Sequence, residues 1–169
     1  MNSDLISKVT KAVHYRAMLL LKADKKLGEA LQNEEDPEIK YHFLFERDIA
    51  KGNYDKCFDV LKKAQSEKAI KRKDIELFIK GILAKYEKDK NYKKVIDLAQ
   101  ELLSWSCVDT ALKSLLYHLL GNSYYFSNKE QELVDLIEFL KRDKDYQNHP
   151  LVRWANSAVK LDAKNSRNL

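Results

Sequence analysis

The sequence predicts an all-α fold, and three observations carry that prediction. Four glycines and two prolines in 169 residues leave few of the tight turns that an all-β chain needs. Apolar residues recur at helical spacing rather than in alternation. Polar breaks of a few residues then divide the chain at regular intervals, as suits helices packed antiparallel through short connections. With 44% apolar residues, a chain of this length buries one sizeable core, so the expectation is one compact domain of about nine helices.

In chain order, residues 1–35 form an amino-terminal helical region, the least clearly patterned part, in which the carboxylates Glu34 and Glu35 read as a solvated connection. Asp36 followed by Pro37 starts a helix, since the side chain can cap and proline lacks only an N–H that the first turn leaves unpaired. An apolar stripe then runs from Tyr41 to Ile49, with a break at 51–53. After a second break at 67–74, in which Asp74 offers a cap, Ile75, Phe78, Ile79, Ile82, Leu83 and Tyr86 form one helical stripe. Val95 to Leu103 and Leu112 to Tyr124 repeat the pattern between breaks at 88–91, 104–109 and 127–129. Asn128 with Gln131 matches a capping box, and His149-Pro150 introduces a last helix with Leu151, Val152, Trp154, Ala155, Ala158 and Leu161.

The chain also repeats. Tyr54 and Tyr92 lie 38 residues apart at equivalent places between helices, and a further 38 reaches Glu130. Small or apolar residues follow each point at three, seven and ten residues: Cys57, Leu61 and Ala64; Val95, Ala99 and Leu102; Leu133, Ile137 and Leu140. Three helical hairpins of one design are therefore expected.

Within that register, Tyr117, Leu120, Gly121 and Tyr124 resemble the signature of the tetratricopeptide repeat. Tyr41, Leu44 and Phe45, and then Ile79, Ile82, Leu83 and Tyr86, match it in part, and Gly52 with Tyr54 resembles the family's turn. The spacing is 38 rather than the family's 34, and Leu133 stands where a small alanine is usual. The resemblance covers about residues 38–142 and implies a right-handed α-solenoid of stacked antiparallel hairpins. Three hairpins would occupy 36–147, and a capping helix with its tail 148–169. Gly121 would let the second helix of its own hairpin approach closely.

The resemblance also implies a concave groove that takes an extended peptide or a partner helix. Its inner positions are His42, Glu46 and Ile49, then Lys80, Ala84 and Glu87, then His118, Asn122 and Tyr125. Asn122 falls where many family members hydrogen-bond a peptide backbone, a task suited to an amide with both donors and an acceptor. The implied function is an adaptor, chaperone or assembly factor. A regulatory peptide-sensing domain is the first alternative.

Nothing in the sequence points to chemistry. The glycines are isolated, so no phosphate-cradling loop or nucleophile elbow is present, and His14, His42, His118 and His149 have no ligand spacing. No catalytic residue, metal or cofactor is therefore expected. Cys57 and Cys107 lie in apolar sequence without the spacing of a zinc or redox pair, which suits a reducing compartment. The longest early apolar run, Ala17 to Leu21, falls far short of a membrane span, and the expected location is cytoplasmic.

A net charge of +5 arises from 31 basic residues interleaved with 26 acidic ones. Lys71, Arg72 and Lys73, and then Lys85, Lys88, Lys90, Lys93 and Lys94, could meet phosphates, but solvated hairpin tips explain them better, so nucleic acid is the weaker partner class. Trp105 at a helix end reads more readily as packed under a loop than as an exposed anchor. Trp154 could dock within the chain or onto a second copy of it.

Overall fold

The computed structural model describes residues 3–165, with side chains from Asp4 to Ala158, so Leu161 lies outside the described side chains. Among these residues there is no strand. The helices are α1 (Ser3–Leu20), α2 (Asp24–Gln32), α3 (Pro37–Ala50), α4 (Tyr54–Ser66), α5 (Arg72–Leu77), a π-helical segment (Phe78–Leu83), α6 (Ala84–Lys88), α7 (Tyr92–Leu103), α8 (Thr110–Phe126), α9 (Glu130–Arg142) and α10 (Pro150–Asn165). Because α5, the π segment and α6 form one continuous rod, the described chain has nine rods. Neighbours in sequence pack on one another: α1 on α2 and α3, α3 on α4, α6 on α7, α7 on α8, and α9 on both α8 and α10. The chain forms two compact units, Met1–Phe78 and Ile79–Leu169, divided inside the π segment.

One turn design recurs. Gly52, Lys90 and Asn128, each 38 residues after the last, adopt positive φ, and the next residue's N–H bonds back to Asp48, Tyr86 and Tyr124 at 2.8–2.9 Å. This closes the helix with a left-handed residue and satisfies a carbonyl that would otherwise be orphaned. The following helices begin at Tyr54, Tyr92 and Glu130, and all nine residues expected at the recurring positions are buried.

The same closing bond recurs after α4, where Lys68 has positive φ and Ala69 N–H bonds to the Ala64 carbonyl at 2.8 Å, and the full turn leading into a helix occurs again at the amino terminus, where the sequence pattern had not revealed it. Lys22 has positive φ, Ala23 N–H bonds to the Met18 carbonyl at 2.9 Å, and α2 starts at Asp24. Three, seven and ten residues on, Leu27, Leu31 and Glu34 are all buried. The amino-terminal region is thus a hairpin of the same design, placed 30 rather than 38 residues before the next.

Helix starts depart from expectation twice. Asp36 does cap α3, accepting from the N–H groups of Glu38 and Ile39 at 3.0 and 3.2 Å. Asn128, however, is the left-handed turn residue, and α9 starts after Lys129 without a side-chain cap. Asp74 lies inside the first turn of α5, buried against His42 instead of capping.

In the first unit Tyr15 packs with Leu27, Leu31, Ile39 and Phe43, while Phe58 meets Phe78 at a ring distance of 5.3 Å. Cys57 is fully buried, and burial pushes its thiol up to about 12, so it is inert, whereas Cys107 is exposed, contrary to its apolar sequence setting. In the second unit Trp105 is buried with Val108, Leu112 and Leu116. Gly121 serves a different neighbour from the one expected: a Cβ there would lie 2.3 Å from Leu151 Cδ1, so the notch receives a side chain of α10 and not helix α9.

Ser123, fully buried on α8, has no hydrogen-bond partner for its Oγ among the described residues. Ser123→Ala is expected to stabilise the protein by about 1 kcal/mol, by removing an unsatisfied hydroxyl and raising helix propensity. A urea unfolding midpoint that falls would instead mean that the hydroxyl is paired.

Candidate functional site

In the first unit, α3 places His42 and Glu46 one turn apart, as the expected inner face requires. Yet His42 is only 6% exposed and fully engaged. Its Nδ1–H donates to Asp74 Oδ1 at 2.7 Å, and Lys73 Nζ donates to its Nε2 at 3.1 Å. Glu46 Oε1 stands 3.4 Å from the same Nε2 and accepts from Arg16 at 2.7 Å. The ring therefore has no free lone pair to offer a substrate, and the network ties α1, α3 and α5 together. Ile49 is half-buried on the same helix. Beside these residues lies a cleft of about 540 Å³ with Val9, Val13, Ile39 and Phe43 along it and Lys71 and Lys73 at its edge.

Helix α1 owes its position to Glu34, which the sequence reading had placed in solvent. Glu34 is 5% exposed and accepts from Tyr15 Oη at 2.6 Å, Lys11 Nζ at 2.9 Å and Asp36 N–H at 3.0 Å. Burial taken alone would raise its pKa, but these hydrogen bonds outweigh burial and hold the carboxyl below its ordinary value. The signal lay in the register: Glu34 falls at a core position of the fourth hairpin.

The second unit brings the remaining candidates together. Asn122 Nδ2 donates to Glu87 Oε1 at 2.8 Å and lies 3.4 Å from His118 Nε2, which orients the amide and leaves its Oδ1 without a partner among the described residues. Ala84 and Glu87 are half-buried on α6, and Lys80 is exposed in the π segment. His118, Asn122 and Tyr125 line a cleft of about 350 Å³ closed by Pro150, Leu151 and Trp154 of α10. A second hollow of about 620 Å³ continues from Tyr125 and Trp154 along Leu133, Val134 and Ile137 of α9.

The rings at this cleft are exposed: Tyr125 by 56%, Phe126 by 59% and Trp154 by 50%. Tyr125 meets Trp154 edge-on at 5.9 Å and Phe126 at 5.2 Å, while Tyr92 stacks on Phe126 at 5.7 Å. Sequence reasoning missed Phe126 and the pairing of Trp154 with Tyr125. A signal existed in Tyr124-Tyr125-Phe126, because three consecutive residues span too wide an arc of a helix to share one buried face.

Several basic residues of the two clusters have local partners. Arg72 pairs with Glu76 at 2.8 Å and Lys85 with Asp89 at 2.9 Å, while Lys94 stands 4.7 Å over the Tyr86 ring. Among the described residues no group of three or more His, Cys, Asp or Glu side chains could hold a metal ion, and no helix is long and apolar enough to cross a membrane. The chain matches no protein-family model, no curated protein and no solved structure.

Proposed function

We propose that the chain is a non-catalytic protein-binding module, a right-handed tetratricopeptide-like solenoid acting as an adaptor, chaperone or assembly factor. Its binding site is the α8–α10 cleft, which takes an extended peptide or a partner helix. The observation that carries this reading is the set of half-exposed rings, Tyr125, Phe126 and Trp154, contributed by two helices around an oriented amide. Apolar side chains of a partner would cover the rings, since desolvated aromatic anchors supply most of the energy at protein interfaces. The Asn122 Oδ1 acceptor is held in place by Glu87 to receive a backbone N–H from an extended chain.

The test is a photo-crosslinking residue at position 126, followed by rebinding of the captured partner in purified form. Asn122→Ala combined with Tyr125→Ala and Trp154→Ala, in a variant shown to stay helical, is expected to weaken binding at least tenfold, and wild-type affinity should change little between about 50 and 200 mM salt. Undiminished binding by the variant would remove the cleft as the site. A steep loss with salt would favour nucleic acid.

A further inference from the structure

We propose that His149 is a protonation-controlled latch: its neutral ring clips the first turn of α10 to α8, and acidification releases that helix. The ring is 4% exposed and sits at the cap position of α10, directly before Pro150. Its Nδ1 accepts from Leu151 N–H at 3.3 Å and its Nε2 donates to the Ser114 carbonyl of α8 at 3.0 Å. An amide can only donate and a carbonyl can only accept, so one form alone satisfies both: the neutral Nε2–H tautomer. An imidazolium would turn an N–H toward the Leu151 amide and lose the cap.

The surroundings oppose the proton. The α10 amino terminus carries the positive end of a helix dipole, and the His118 ring on α8 is 6.5 Å away. Arg153 on α10 adds a positive charge, among the described residues no charged group of α9 bears on the ring, and in the segment before α10 the Tyr146 carbonyl accepts the His149 backbone N–H at 2.8 Å. Burial first, and then His118 and Arg153, outweigh the Ser114 carbonyl and hold His149 below the ordinary histidine value. A native value below the unfolded one gives a contribution that is complete above about pH 6.5 and lost as pH falls through the native value.

Release would lift Leu151 out of the Gly121 notch and Trp154 away from Tyr125. Its effect on partner binding rests on the reading of the α8–α10 cleft given above, but the latch itself is read without a partner. The two can therefore fail separately.

Hydrogen exchange on the full chain from pH 7.5 to 4.5, expressed as protection factors, tests the latch. Protection of α10 is expected to fall by up to tenfold for each pH unit below about 6.5, while α3 and α4 keep theirs. His149→Asn, which caps without titrating, should keep α10 docked and flatten the profile. Should that variant undock at pH 7.5, His118→Gln removes a neighbouring ring that opposes the proton on His149 and should shrink the total loss. Equal protection of α10 at pH 7.5 and 5 in the wild type, or a loss unchanged in the informative variant, would overturn the latch.

Discussion

Glu34→Ala is expected to cost the protein about 3 kcal/mol, because truncating a buried, hydrogen-bonded charge strands its partners. Tyr15, 7% exposed, would keep a hydroxyl with no acceptor, and the Asp36 N–H would lose its partner at the turn that starts α3. Helix α1 would lose two polar contacts, from Lys11 and Tyr15, while keeping the pairs of Lys8 with Asp36 at 3.0 Å and of Arg16 with Glu46 at 2.7 Å. Glu34→Gln should cost less, since the amide retains an acceptor but not the charge. Urea unfolding gives the magnitude, and hydrogen exchange on α1 gives the location. An alanine variant with unchanged stability and unchanged exchange on α1 would refute this role of Glu34.

The same carboxyl sets an acid limit. Its native value is lowered, so its contribution is complete above the ordinary glutamate value of about 4.3 and disappears as pH falls through the native one. Tyr15 behaves in the opposite sense: burial, then the Glu34 bond, raises it to about 12, so its contribution is present below about pH 10 and lost as pH rises toward that value. The histidine latch acts at higher pH than Glu34, which lets acid titration separate them.

Leu151→Ala is expected to destabilise the docking of α10 by about 3 kcal/mol, since it empties the notch that Gly121 provides. Gly121→Ala in the wild type sets two effects against each other. Alanine gains about 1 kcal/mol of helix propensity, but its Cβ would meet Leu151 Cδ1 at 2.3 Å and Cδ2 at 2.8 Å, forcing out a buried side chain whose burial contributes about 2 kcal/mol. The net expectation is a loss of about 1 kcal/mol. With Leu151 already truncated, the same glycine change should stabilise by about 1 kcal/mol. This reversal of sign is the decisive result, because a glycine required by its own backbone would be destabilised by alanine in both backgrounds.

The helices were legible wherever burial was one-sided. The stripes around Tyr41, Val95 and Leu112, the Asp36 cap and the 38-residue register all reappear in the structure, because each rests on spacing within a single helix. What the sequence concealed depends on partners distant along the chain. Glu34 looked solvated until Lys11 and Tyr15, 23 and 19 residues earlier, supplied its bonds. His42 looked available until Asp74 and Lys73, 32 and 31 residues later, occupied its two nitrogens. The α8 candidates were correctly grouped by one helix face, but the other wall of their cleft comes from Leu151 and Trp154, and no local pattern couples α8 to α10.

The widened turn at Phe78–Leu83 bears on where side chains point along this rod. Phe78, Ile79, Ile82 and Leu83 are each at most 3% exposed, and the π segment draws these two adjacent pairs onto a narrower arc than the α-helical stripe they would otherwise form. A π turn holds about one residue more than an α turn, so side chains on either side of Phe78–Leu83 lie off the angular spacing of an uninterrupted α-helix. Residues after Leu83 are therefore rotated about the helix axis from where an uninterrupted α-helical period would put them. Lys80 and Glu87, assigned to a common face on an uninterrupted period, are separated by that rotation. The 38-residue spacing of Gly52, Lys90 and Asn128 is the same across the π segment as beyond it, so the register matches without a gap while the faces of this rod cannot be read from a 100° period.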